Sequence, residues 1–426
     1  LIAFGLLFLF LFIRMPIAWA MSIIGAMGMV AVSRNVVAAL AAVGTTPYAA
    51  SANYNFVALP LFVLMGCMIL YSGISVDLFN SANKGIGHMP GGMGMAGVAG
   101  CTGFAAVCGD SLSTAVTMGS VSLPEMMRLK YSPSLATGAL AAGGTLGILI
   151  PPSSGFIIYG IVTEVSIGRL FMAGLIPGIM LALMFMAYIY YMAVRHPELA
   201  PRGPKYTLAE KLQSSMGLLP ILALFVLVLG SIVAGICSPN EGGGIGAVGA
   251  FLVSLCMRRL TVKKFIAALN DSAKFIAMCF AVLTGASMLS YFMTLSRIPT
   301  VMASAIASMQ LSGGLTMLAI VVVMIVLGCF VPALPLLLVC VPIFLPIAAV
   351  YDWNLVWFGV LMVILLNMGT ITPPFGVNLF VIKELAKVPL NVMFRAAVPF
   401  AIAMVVLVAI VYFFPQTTLW LPSVFK

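Results

Sequence analysis

Charge is what this sequence has least of. Only 7% of its 426 residues are Asp, Glu, Lys or Arg, 63% are hydrophobic, and the mean hydropathy is +1.21. Apolar runs long enough to cross a bilayer recur from end to end, so the chain reads as an all-α polytopic membrane protein. The two histidines, His88 and His196, fall in loops, which excludes an HExxH-type zinc protease. Asp110 is the one carboxylate well inside the predicted membrane region, so a diaspartyl protease is excluded too. No GxxxxGK[ST] occurs, so the chain does not itself hydrolyse ATP. The eight cysteines lack CxxC spacing and read as small core residues. A net charge of +10 is no nucleic-acid footprint here, because basic loops of membrane chains set orientation. The apolar start at Leu1 lacks a small-residue cleavage site followed by a polar mature region, and reads as a first span.

What the chain does have is a Pro-Pro pair, twice. Gly147-Ile148-Leu149-Ile150-Pro151-Pro152-Ser153-Ser154 and Gly369-Thr370-Ile371-Thr372-Pro373-Pro374-Phe375-Gly376 each set Gly four residues before the first Pro. Proline lacks an N–H and its ring clashes with the carbonyl one turn back, so each pair breaks its helix. Irregular backbone at membrane depth survives only where it is buried in protein or lines a polar cavity. A single pair would read as a plain kink. Two pairs in register point to a binding site built from discontinuous helices.

The offset between the pairs is 373 − 151 = 222 residues, and Leu123-Pro124 returns as Leu345-Pro346 at the same offset. This predicts two repeats, 1–195 and 215–426, joined by a connector at 196–214. Repeat 1 is read as spans at 1–13, 16–33 and 55–73, a re-entrant hairpin at about 91–124, a broken helix at 134–163 and a last span at 170–194. Repeat 2 repeats the plan: spans at 216–236, 242–257 and 273–294, a hairpin at about 313–346, a broken helix at 354–382 and a span at 396–414. The stretches 73–90 and 295–312 fit weakly amphipathic interfacial helices or ordinary loops equally well. With both termini outside, 16 of the 20 basic residues fall inside, and only Arg34, Arg169, Arg297 and Lys426 outside. Three spans precede each hairpin, so the repeats would be inverted.

An intramembrane carboxylate is costly and is a functional candidate by default. Asp110 either caps the second hairpin arm through the N–H of Leu112 or Ser113, or helps bind an ion, and the two roles can coexist. Na+ prefers oxygen ligands, which unwound helices supply as carbonyls. A first Na+ site is expected at Ala106, Gly109, Asp110, Ser111, Gly147, Ile150 and Ser153, and a second at Gly328, Gly369, Thr372 and Phe375. Each ion would be held mostly by backbone carbonyls.

Ser111 to Gly119, LPEM (123–126), GTLGILIPPS (144–153), IYG (158–160), SIGRLFMAGLIPG (166–178), GTITPPFGVNLFV (369–381) and the closing YFFP and WLP together resemble the large membrane subunit of the tripartite ATP-independent periplasmic (TRAP) transporters, in the ion transporter superfamily. The likeness spans essentially the whole chain. It implies a scaffold plus an elevator transport domain, and import of a small organic acid anion by symport with two or more Na+ across the bacterial inner membrane. It also implies two partners, a small four-helix membrane subunit and a periplasmic substrate-binding protein. Ser111, Ser113, Thr114, Ser154, Thr370 and Asn378 are the expected substrate contacts. Two departures stand out. Hairpin 1 reads Cys108-Gly109-Asp110-Ser111 where a Ser-Gly-Ser-Ser-like tip is common, and hairpin 2 reads Gly328-Cys329-Phe330-Val331-Pro332-Ala333-Leu334-Pro335 where an acidic residue is common. A proton-coupled carrier or an anion channel using Asp110 is the alternative reading.

Overall fold

Prolines, glycines and N-capping side chains decide where the helices stop. The structure is a computed structural model that describes residues 5–7, 9, 10, 13, 15–33, 35–373 and 376–425. The expected first span, 1–13, lies largely outside the described residues. From there the chain runs through α1 (Ile17–Val32), α2 (Val36–Ser51), α3 (Ala58–Ser72) and α4 (Ile74–Ile86). The first hairpin follows, with arms α5 (Gly92–Cys108) and α6 (Ser111–Arg128). The first broken helix is α7 (Pro133–Leu149) and α8 (Ser154–Thr163), and α9 (Ile167–Arg195) closes the half.

The second half is α10 (Leu208–Met216), α11 (Leu219–Val233), α12 (Pro239–Cys256), α13 (Val262–Leu295) and α14 (Ile298–Ser308). Then come the hairpin arms α15 (Gly313–Gly328) and α16 (Ala333–Val350), the broken pair α17 (Leu355–Ile371) and α18 (Val377–Ala386), α19 (Leu390–Phe413) and α20 (Gln416–Val424). Among the described residues, six helices are long and apolar enough to cross a membrane, or seven if α10 and α11, bent by 50°, count as one span. This is a polytopic, all-helical membrane protein.

Both ends of α6 and α16, and of α7 and α17, differ by the 222 residues that separate the two Pro-Pro pairs. Packing follows the same correspondence with partners exchanged: α1 packs on α13 while α12 packs on α3, and α8 packs on α16 while α18 packs on α6.

Two expectations need correction. The expected spans 16–33 and 55–73 leave 34–54 between them, yet α2 fills most of that stretch. The span expected at 273–294 is a continuous helix that starts at Val262. The reason is local: in the first half Asn53 turns extended and accepts the Asn55 N–H at 2.9 Å, which separates α2 from α3, whereas the corresponding stretch of α13 has no such cap. Of the two forms that fit 73–90 and 295–312, the helical one is formed, over Ile74–Ile86 and Ile298–Ser308. On α4 one side is buried through Ile74, Leu78 and Phe79, and Asp77 forms an ion pair with Arg259 from the loop before α13.

Candidate functional site

At the first break, the missing N–H groups of Pro151 and Pro152 free the carbonyls of Gly147 and Ile148, four residues back. Ile150 turns extended, and the Ser153 hydroxyl donates to the Ile148 carbonyl while accepting from the Phe156 N–H at 3.3 Å, which caps α8. The Gly147 carbonyl gains no such substitute among the hydrogen bonds of the described residues. At the second break Thr372 turns extended, its N–H reaches the Gly369 carbonyl at 3.2 Å, and its hydroxyl donates to the Met368 carbonyl at 2.6 Å. Pro374 removes the donor that the Thr370 carbonyl would otherwise meet. Phe375, expected at the second ion site, and Pro374 lie outside the described residues.

The hairpin tips rest against these breaks. Gly109 has φ +68° and packs on the Pro152 carbonyl, leaving no room for a Cβ. Its own carbonyl accepts from the Ser154 N–H at 3.0 Å and the Ser154 hydroxyl at 2.8 Å. Gly147 faces the Asp110 carbonyl and the Thr114 hydroxyl, which an added Cβ would approach to 2.5 Å. In the second half Gly328 and Gly369 meet backbone to backbone: a Cβ on Gly369 would lie 2.5 Å from the Gly328 Cα. The Cys329 thiol reaches the Pro373 carbonyl at 3.3 Å.

Asp110 does cap α6. Its Oδ2 accepts from the Ser113 N–H and the Ser113 hydroxyl, each at 2.7 Å, and Thr114 donates to its carbonyl at 2.7 Å. Asn378, 1% exposed at the start of α18, donates to the Ser111 hydroxyl at 2.9 Å and to the Ala141 carbonyl at 3.4 Å. One amide therefore ties the first hairpin tip to the second broken helix.

These elements border a cavity of about 350 Å³ lined by Asp110, Ser111, Ile148, Thr370, Asn378 and the Pro332–Pro335 turn, together with Trp19, Phe275 and Met278. A second cavity of about 260 Å³ adjoins it, bordered by Gly66, Cys67, Ser113, Thr117 and Asp271. Asp110, Leu112 and Phe275 border both. Of the expected substrate contacts, Ser111, Thr370 and Asn378 face the larger cavity and Ser113 the smaller. Thr114 and Ser154 border neither, because their hydroxyls hold the carbonyls of Asp110 and Gly109. The expected ion-site glycines, with Ala106, Ile150, Ser153 and Thr372, do not border the larger cavity.

Two groups escaped the sequence reading. Asp271, placed outside the span there, borders the smaller cavity, accepts from the Tyr71 hydroxyl and lies 3.3 Å from the Lys274 ammonium. Asn367 is fully buried on α17; its amide donates to the Val363 carbonyl at 3.0 Å, but its Oδ1 has no partner among the described residues. An amide inside the apolar run Leu355–Met368 is a signal that could have found it. No group of three or more His, Cys, Asp or Glu capable of holding a metal occurs among the described residues.

Residues 4–417 match the family described as "Tripartite ATP-independent periplasmic transporter, DctM component". The chain belongs to this family. This DctM component is 34% identical to the C4-dicarboxylate TRAP transporter large permease protein DctM of Pseudomonas aeruginosa, over 88% of this chain and 87% of that one. It is 29% identical to the isethionate TRAP transporter permease protein DctMQ of Oleidesulfovibrio alaskensis, covering 97% of this chain and 65% of that longer one. Among solved structures, the YdaH transporter of Alcanivorax borkumensis superposes with a TM-score of 0.55 at 13% identity, over 88% of this chain and 89% of that one, a likeness of fold alone. The DctM component is thus the large permease of a TRAP transporter.

Proposed function

We propose that this DctM component imports a small organic acid together with Na+, by an elevator movement of the hairpins and broken helices against the remaining helices. The observation that carries the reading is the convergence of both hairpin tips and both breaks on one cavity of about 350 Å³. Organic acids are what the names of the relatives specify, a C4-dicarboxylate and isethionate. The scaffold would be α1–α3 with α11–α13, whose strongest contacts are with one another, and the mobile part α5–α8 with α15–α18. The two halves would lie inverted in the inner membrane with both termini periplasmic. A small membrane subunit and a periplasmic binding protein would complete the transporter.

Na+ would travel as co-substrate. The donor set suits it: carbonyls of Gly147 and Thr370 deprived of their helical partners by proline, and the orphaned Oδ1 of buried Asn367. Thr372→Ala removes one hydroxyl oxygen near the second break, and we expect reconstituted uptake to need several-fold more Na+ with the fold intact. Unchanged Na+ affinity would remove Thr372 from the site. Uptake in Na+-free buffer across a range of pH tests the coupling itself: flux that follows pH and ignores Na+ would replace the Na+ reading with a proton-coupled one. The specific support for that second reading is that Asp110 borders both cavities and takes part in none of the ion pairs among the described residues.

Orientation has its own test. Lys205→Cys should react with an impermeant thiol reagent only from the cytoplasm, and Ile236→Cys, 80% exposed, only from the periplasm. The opposite pattern would discard the inverted arrangement.

A further inference from the structure

Resting on the transport reading above, the substrate can be narrowed by asking what the walls of the larger cavity offer a solute. Among the described residues no Lys, Arg or His borders it, and the one charged group is the Asp110 carboxylate. The neutral polar side chains on its wall have spent most of their donors elsewhere. The Thr370 hydroxyl donates to the Asn367 carbonyl at 2.7 Å, and the Asn378 amide is committed to Ser111 and Ala141. Ser111, which accepts from Asn378, keeps its O–H to give. What remains is mainly acceptors, the oxygens of Asp110, Thr370 and Asn378, facing apolar surface from Ile148, Phe275 and Met278.

A dicarboxylate is a poor fit to such a wall, because it brings two further negative charges beside a carboxylate and finds no cation among the described residues to meet them. A group rich in donors and positive in charge fits it well. An ammonium has three donors and no acceptor, matches the surplus of acceptors, and forms a charge-assisted bond with Asp110. A single carboxylate on the same solute would take the Ser111 hydroxyl, and an apolar body would lie on Ile148, Phe275 and Met278. We propose that the cavity selects a zwitterion, an amino acid with an apolar side chain, and that Asp110 is the specificity-determining residue because it pairs with the ammonium group.

The test compares three probes on the full chain in lipid nanodiscs by isothermal titration calorimetry, in NaCl and in choline chloride. L-leucine carries the ammonium, 4-methylpentanoate is the same skeleton without it, and succinate is the dicarboxylate. Leucine should bind about tenfold or more tighter than either, the size of one favourable charged contact. In Asp110→Asn, which keeps an acceptor for the Ser113 cap, leucine and 4-methylpentanoate should bind within about twofold of each other, the contact having been lost. Equal or tighter binding of 4-methylpentanoate or succinate to the wild type overturns the proposal without need of the variant, and so does an unchanged ratio in Asp110→Asn. Preference for leucine only when Na+ is absent would assign Asp110 to the ion instead and overturn it as well. If leucine does not bind while the reconstituted transporter takes up another organic acid, the zwitterion assignment alone fails. If nothing binds and nothing is taken up, the transport reading fails with it.

Discussion

Gly369→Ala will cost this transporter most of its activity, and Gly328→Ala much less, although the two glycines touch each other. The asymmetry comes from where each Cβ would go. On Gly369 it would lie 2.5 Å from the Cα, 2.6 Å from the carbonyl carbon and 2.8 Å from the oxygen of Gly328, all backbone that cannot rotate away. On Gly328 its nearest neighbour would be the Gly369 Cα at 3.0 Å, and the next atom lies at 3.7 Å. Gly369→Ala must therefore push the hairpin tip off the second break. Forcing an extra carbon into packed backbone costs about 1–3 kcal/mol, and uptake should fall more than about tenfold because the tip and the break form the site together. Gly328→Ala needs a shift of a few tenths of an ångström and should retain a substantial share of uptake. Proteoliposome flux with thermal melting of each variant decides the point, and equal activity in the two would show that the contact does not matter.

Asn378→Leu is the second large effect expected. The residue is 1% exposed and its amide spans two elements 267 positions apart, so the substitution removes both bonds and leaves the Ala141 carbonyl without this donor. An unmade buried bond costs about 1–3 kcal/mol, which lowers the melting temperature and loosens the first hairpin tip from α18. Uptake should drop severely. Ser111→Ala, which removes only the acceptor, should be milder, and the double variant should fall short of the sum because both changes break one bond. Full additivity of the two melting shifts would mean that Ser111 and Asn378 act independently.

Much of this molecule is legible in the order of its residues. Membrane class, both breaks, both hairpins and the 222-residue spacing rest on properties that a residue carries wherever it is placed: transfer energy for the apolar runs, the missing N–H for the Pro-Pro pairs, and the capping oxygen of Asp110. Ser238-Pro239-Asn240-Glu241 is of the same kind, a capping box in which the Ser238 hydroxyl accepts the Glu241 N–H at 3.3 Å and the Glu241 carboxylate accepts the Ser238 N–H at 2.7 Å. The family follows from such marks too, since they recur along nearly all of the chain.

What the tertiary structure alone decided is which of these pieces meet. That α13 runs unbroken from Val262, carrying Asp271 to the cavity that Asp110 also borders, depends on the absence of a cap, and an absence leaves no local mark. That Thr114 and Ser154 turn away from solute to hold the carbonyls of Asp110 and Gly109 depends on those carbonyls being brought within reach. The bond from Asn378 to Ser111 and the meeting of Gly328 with Gly369 join residues far apart in the chain, and contact between distant residues is a property of the packed fold, set by how helices interlock rather than by any residue's own preference.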